Sequence, residues 1–216
     1  MNAVLAAAPA RAAPASRHRF VDQPGGLRRI HRDEIDALIW RRRLEPALAA
    51  QAQALCDTGN GLLVDACCSP DRMRSRLLAT AGQAPFRIHR IAHDVERLAR
   101  HFAALAGTAS VRAQLEILDH QPCPLFHVDN NVLRMVCSYT GPGTEYVDER
   151  HLRRDRLRRN DNEGVLGGQP PLVTGTGQVI LMKGERNPSA RGHGAVHRSP
   201  PLAPGQRRLL LRLDCS

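Results

Sequence analysis

The spacing of apolar residues changes character near residue 110. Upstream, EPALAAQAQALCD (45–57) has high helix propensity and stops before Gly59-Asn60-Gly61. A short apolar run, Leu62 to Ala66, predicts a strand. Ser69-Pro70-Asp71 then opens a helix reaching about Ala81, with Ser at the N-cap and Pro at N1. Asp94 is placed to cap a third helix, VERLARHFAALAG, which Gly107 would close. Downstream the period falls to two. VRAQLEILDH, Phe126–Asp129, Leu133–Tyr139, the neighbours of Val147, Gln178–Lys183, Ala195–Arg198 and Arg207–Asp214 all read as strands, with glycine and proline turns between them.

Helices followed by a run of short strands predict an α+β chain, a helical front half packed on a β-sandwich or barrel. The expected organisation is a disordered tail over residues 1–20 and one domain over 21–216, with a helical front at 40–108 and a β-core at 109–214. With 216 residues the chain is long enough for one substantial core. No apolar run approaches the roughly 18–20 residues of a membrane span, and the Ala/Pro/Arg-rich start lacks a sustained apolar h-region. The expectation is a cytoplasmic protein without a membrane partner.

Charge changes this picture little. The net charge of +10 points towards nucleic acid, but aromatics are only 3% of the chain and the basic residues are spread along it. A nucleic-acid partner is therefore not expected. The densest basic stretch, Arg150–Arg159, reads as a solvated face within a polar insert, about 148–177, that is expected to form a lid. None of the six cysteines forms a CxxC pair, which excludes a zinc ribbon.

The candidate chemistry lies between Cys123 and Glu145. His127-Val128-Asp129 places an imidazole and a carboxylate two residues apart, so on a strand both project from one face. Those are two of the three donors of a 2-His-1-carboxylate facial triad. His197, at the end of a later strand-like run, is the third candidate, with His193 and His120 as rivals. Arg207 shares a face with Leu209, Leu211 and Leu213. If the leucine row points into the barrel, Arg207 projects into its mouth, where an anion would have to compensate its charge. Thr144 and Glu145 are either groups that orient a ligand imidazole or ordinary turn residues. Tyr139 either hydrogen-bonds a co-substrate or is a half-buried strand aromatic.

In this order, HxD, the GxGTE of 141–145, a distal His and an Arg ten residues on, the chain resembles the Fe(II)/2-oxoglutarate-dependent dioxygenases over roughly residues 111–214. The resemblance implies a double-stranded β-helix, a cupin-like jelly roll. It implies His127, Asp129 and His197 as metal ligands and Arg207 as the clamp on the 2-oxoglutarate carboxylate. Arg208 takes that place if the strand is shifted by one residue. Residues 40–214, including CPLFHVDNNVLRMVCSYTGPGTEYV and GAVHRSPP, also resemble a bacterial family known only as a domain of unknown function. Its genes tend to accompany zinc-responsive CobW-like GTPases. That resemblance implies zinc as the metal, a role in zinc homeostasis, and a CobW-like GTPase as partner. The expected function is an oxygenase that uses Fe(II) and 2-oxoglutarate to hydroxylate an unidentified substrate. The alternative is a non-catalytic zinc-binding protein that adds Cys123 or His193 as a fourth ligand.

Overall fold

The structure, a computed structural model, describes residues 15–59, 61–80, 88–190 and 192–215. In chain order its elements are β1 (His18–Val21), a 3-10 helix (Pro24–His31), β2 (Ala37–Trp40), α1 (Pro46–Cys56), β3 (Gly61–Cys68), α2 (Pro70–Thr80) and α3 (His89–Ala106). There follow β4 (Val111–Leu118), β5 (Leu133–Ser138), β6 (Glu145–Tyr146), a 3-10 helix (Arg154–Arg159), α4 (Asn162–Leu166), β7 (Leu172–Val173), β8 (Val179–Lys183), β9 (His197–Arg198) and β10 (Arg208–Cys215).

Seven strands form a large sheet in the order β1-β2-β8-β5-β10-β4-β3. Only β1 and β2 run parallel; the other pairs are antiparallel. A small sheet, β7-β6-β9, gains one further rung where His127 bridges His197. The large sheet is covered on both faces. On one, Leu209, Leu211, Leu213, Met135 and Leu181 pack against Ile91, Val95, Leu98 and Phe102 of α3. Those α3 residues recur every three or four positions, so one stripe of the helix meets the sheet. On the other face, Leu210, Val136, Ile180 and Met182 meet Tyr146 of the small sheet. A third cluster (Phe126, Val165 and Val196, with Leu152 and Leu157 against it) covers the outer face of the small sheet.

The architecture is mixed α+β, and it departs from expectation in four places. Residues 1–14 of the expected tail lie outside the described residues, but His18 already opens β1, paired with β2. The front half is not a helical layer of its own, since β1, β2 and β3 lie within it and form both edges of the large sheet. Asp94 does not cap a helix. Helix α3 starts five residues earlier, at His89, and Asp94 is a buried residue on its inner side. The 148–177 insert is not a lid. Its apolar side chains Leu152, Leu157 and Val165 are packed into a cluster with Phe126 and Val196, which removes them from water. Gly107 does end α3 as expected, with a left-handed φ of 64° and its N–H donating to Ala103 O. No helix among the described residues is long and apolar enough to cross a membrane.

Candidate metal centre

Two short backbone contacts build the centre. His127 and His197 exchange both N–H···O bonds, each 3.0 Å. Directly opposed residues of an antiparallel pair point the same way, so their rings stand side by side, with centroids 4.7 Å apart. Asp129 follows His127 by two residues, and the intervening Val128 turns outward to the cluster on the far face. The carboxylate is thereby brought to both rings. His127 Nε2 lies 3.6 Å from Asp129 Oδ1, and His197 Nε2 lies 3.3 Å from Oδ2.

The other ring nitrogen fixes the tautomer. His127 Nδ1 is 2.9 Å from Leu125 O, and His197 Nδ1 is 3.1 Å from Ala195 O. A carbonyl can only accept, so Nδ1 carries the proton and Nε2 of the neutral ring keeps its lone pair. Two lone pairs and a carboxylate then face one another. Asp129 Oδ2 is buried with no hydrogen-bond partner. Burial pushes the Asp129 carboxyl up, but His127, His197 and Arg134 outweigh it and hold the group well below the usual carboxylate range. The same contact with Asp129 raises the pKa of His127. The three donor atoms lie within 4.8 Å of one another. An orphaned buried oxygen beside two aimed imidazoles fits a divalent cation, which would satisfy all three at once.

The second oxygen of Asp129 is committed elsewhere. Arg134 Nη1 donates to Oδ1 at 2.6 Å, while its Nε and Nη2 grip Asp214 at 2.8 and 2.9 Å. Asp214 is the residue opposite Arg134 in the β5–β10 pairing, so sheet register sets the clamp. The carboxylate is thus held in one orientation, with Oδ2 presented to His197 and Oδ1 on the side of His127. Arg134 is a functional candidate that strand patterning did not single out. The available signal was a charged residue in the apolar stretch LRMVCS, sharing a face with Ser138.

The cleft beside the centre is lined by His127, His197, Arg134, Thr144, Arg208 and Cys123, among others. Arg208 is only 2% exposed. Its guanidinium donates to Ser138 Oγ at 2.9 Å and Thr144 Oγ1 at 3.0 Å, and no acidic side chain among the described residues pairs with it. Burial pushes its pKa down to about 10.

Arg207 requires a correction. Its Nη1 donates to Cys56 O at 2.8 Å, at the end of α1 and on the opposite side of the sheet from the cleft. The physical reason is that the leucine row of β10 faces the helical layer rather than the jelly-roll interior. Thr144 touches Arg208, and Glu145 accepts from Arg198 Nε at 2.6 Å; the rings are oriented instead by the carbonyls of Leu125 and Ala195. Tyr139 also lies on the helical side, donating to Asp94 at 2.7 Å. His193 belongs to a separate group with Asp36 and Glu149, and exposed His120 pairs with Asp119.

The overall fold is similar to that of a solved dioxygenase. The crystal structure of a dioxygenase for auxin oxidation (DAO) in rice matches with a TM-score of 0.51 at 13% identity, over 88% of this chain and 76% of that one. Two further structures resemble it more loosely. JOX2 in complex with 2OG, Fe and JA has a TM-score of 0.49 at 10% identity, over 96% and 77% of the two chains. An oxidoreductase of the 2OG-Fe(II) oxygenase family from Burkholderia pseudomallei has a TM-score of 0.45 at 14% identity, over 93% and 94%. At 13% identity the likeness to the rice dioxygenase shows the fold alone. No curated protein sequence matches the chain. The family model described as "Protein of unknown function (DUF1826)" matches residues 21–214, and the chain belongs to that family.

Proposed function

We propose that this chain is a non-haem Fe(II)- and 2-oxoglutarate-dependent oxygenase that hydroxylates a second substrate. The observation that carries the reading is the pairing of two unmet needs, one in the cleft and one at the metal centre whose two histidines line it. Among the described residues, Asp129 Oδ2 is a buried acceptor without a donor and Arg208 is a buried cation without an anion. A divalent ion answers the first and a dicarboxylate the second. His127, Asp129 and His197 would hold the metal, and Arg208 would take the distal carboxylate of 2-oxoglutarate through its guanidinium. Bound together, Fe(II), 2-oxoglutarate and O2 supply the oxidising power for hydroxylation, with release of succinate and carbon dioxide.

The chain's own residues do the positioning. The carbonyls of Leu125 and Ala195 hold each imidazole with Nε2 forward. Arg134 immobilises the carboxylate. Ser138 and Thr144 aim the Arg208 guanidinium. Preset groups of this kind spare the site reorganisation when its ligands arrive.

The test combines metal analysis with product assay. Protein reconstituted anaerobically with Fe(II) should bind one ion, bind 2-oxoglutarate, and form succinate in air. His127→Ala should abolish metal binding and turnover while leaving the melting curve cooperative. One tightly held zinc with no 2-oxoglutarate binding would replace this reading with the non-catalytic zinc protein.

A further inference from the structure

Many arginines of this chain are neutralised in pairs, as in Arg41–Asp22, Arg112–Asp65 and Arg212–Glu116. A cavity of about 320 Å³ on the helical side of the large sheet collects the opposite case. Arg43 from the β2–α1 link, Arg74 from α2 and Arg90 from α3 all line it, and none of the three has an acidic partner among the described residues. Arg42 and Arg97 line it too, against two carboxylates among the described residues, Glu45 and Asp94. The lining therefore carries three net positive charges before any histidine is counted.

The floor of this cavity is rigid and already satisfied. Asp94 accepts from Arg42 at 2.8 Å on each oxygen, from Tyr139 at 2.7 Å and from Arg97 at 2.7 Å. Its charge is spent on those partners and opposes an incoming anion little. Leu44 and Leu48 add apolar wall. Unpaired like charges around a concavity focus positive potential into it, and their mutual repulsion weakens the empty protein. The guanidinium fork matches phosphate oxygens better than it matches water.

Two features select the kind of anion. The volume sits at the low end of the roughly 300–1,000 Å³ typical of small-molecule sites. Among the described residues, no Phe, Tyr or Trp lines the cavity to stack a base. We propose that this cavity is a binding site for a small phosphate-bearing molecule of the di- or triphosphate class. It is separate from the metal cleft, which opens on the other face of the sheet, so its existence does not depend on the oxygenase reading.

The test uses the full chain and inorganic triphosphate as the probe, followed by calorimetry at about 50 mM and 200 mM salt. Saturable binding of one triphosphate is expected, weakening several-fold at the higher salt. Arg74→Gln/Arg90→Gln should lose at least about tenfold in affinity, as removal of two charge-assisted contacts implies. Arg43→Gln, tested alone, should lose a smaller part. The control is Arg28→Gln/Arg29→Gln, which removes two exposed arginines of the first 3-10 helix and should leave affinity unchanged. Because repulsion is relieved, the Arg74→Gln/Arg90→Gln protein should melt no lower than the native one without ligand. Failure to bind triphosphate at the lower salt would overturn the proposal, as would equal weakening in both double variants. Binding of single-stranded RNA without binding of triphosphate would overturn it in favour of a nucleic-acid surface.

Discussion

Replacing Arg208 by methionine should move stability and ligand affinity in opposite directions. The side chain is 2% exposed, and its polar partners among the described residues are two neutral hydroxyls. Burial lowers its pKa from 12.5 to about 10. At about 1.4 kcal/mol per unit, the charged form is penalised by about 3 kcal/mol in the folded protein. Methionine has a similar volume and no charge, so that penalty disappears. Ser138 and Thr144 each lose a partner, at about 1 kcal/mol apiece. The balance leaves the ligand-free variant about 1 kcal/mol more stable than the native chain. The affinity for 2-oxoglutarate should fall by about 2–5 kcal/mol, or at least about 30-fold, because the ligand carboxylate would be buried opposite nothing. Urea denaturation reads the first quantity and calorimetry with the metal site filled reads the second. Arg208→Lys keeps the charge but loses the fork, and should fall between the two proteins in affinity. An Arg208→Met protein destabilised by more than about 2 kcal/mol would make Arg208 a structural residue, since cavity or strain terms would then dominate. Unchanged affinity for 2-oxoglutarate would remove the clamp altogether.

Three other substitutions separate the roles of neighbouring groups. Arg207→Ala should leave 2-oxoglutarate binding unchanged and cost about 1 kcal/mol of stability, the worth of its bond to Cys56 O; a weakened ligand affinity would put Arg207 back in the cleft. Arg134→Leu should lower divalent-metal affinity by about 10–100-fold in a chelator competition, because Asp129 loses the group that fixes its orientation; native affinity would show that the orientation is set elsewhere. Asp94→Asn should cost about 3–5 kcal/mol by leaving Arg42 buried without a counter-charge. Burial pushes the Asp94 carboxyl up, but Arg42, Tyr139 and Arg97 more than reverse this and hold it below the usual range. A depressed carboxyl contributes stability above its unfolded pKa of about 4 and loses it as pH falls. Native stability should therefore drop more steeply below about pH 4 than that of Asp94→Asn. Parallel curves would remove Asp94 as the cause.

How much was readable from sequence varied with the range of the interaction involved. The amphipathic stripe of α3 and the glycine that ends it are local facts, and so is the two-residue spacing of His127 and Asp129. Strands β1 and β2 were not legible. Each is four residues long, and HRFV and ALIW carry too few alternations to stand out between charged flanks. Arg134 is not legible in sequence because its meaning is cross-strand. It becomes a clamp only when β5 and β10 pair with Asp214 opposite it. Asp94 reads as a cap in sequence because its partner Arg42 lies 52 positions away in the chain.

The placement of Arg207 failed for a reason that reaches beyond one residue. Strand β10 alternates a leucine row with Arg208, Leu210 and Arg212, and the rule that the more apolar face turns inward assumes a single interior. Here the strand lies between two interiors. The leucines turn to the helical layer, where nothing needs solvating, and the mixed row faces the jelly-roll side, where a cleft can keep charge useful. The same holds on β5, where Leu133, Met135 and Cys137 enter the helical core while Arg134, Val136 and Ser138 face the cleft or its floor. In a central strand covered on both sides, the less apolar row is the one expected to carry chemistry. A buried arginine on that row, lacking an acid among its neighbours, is then better evidence for a ligand than its sequence distance from a histidine.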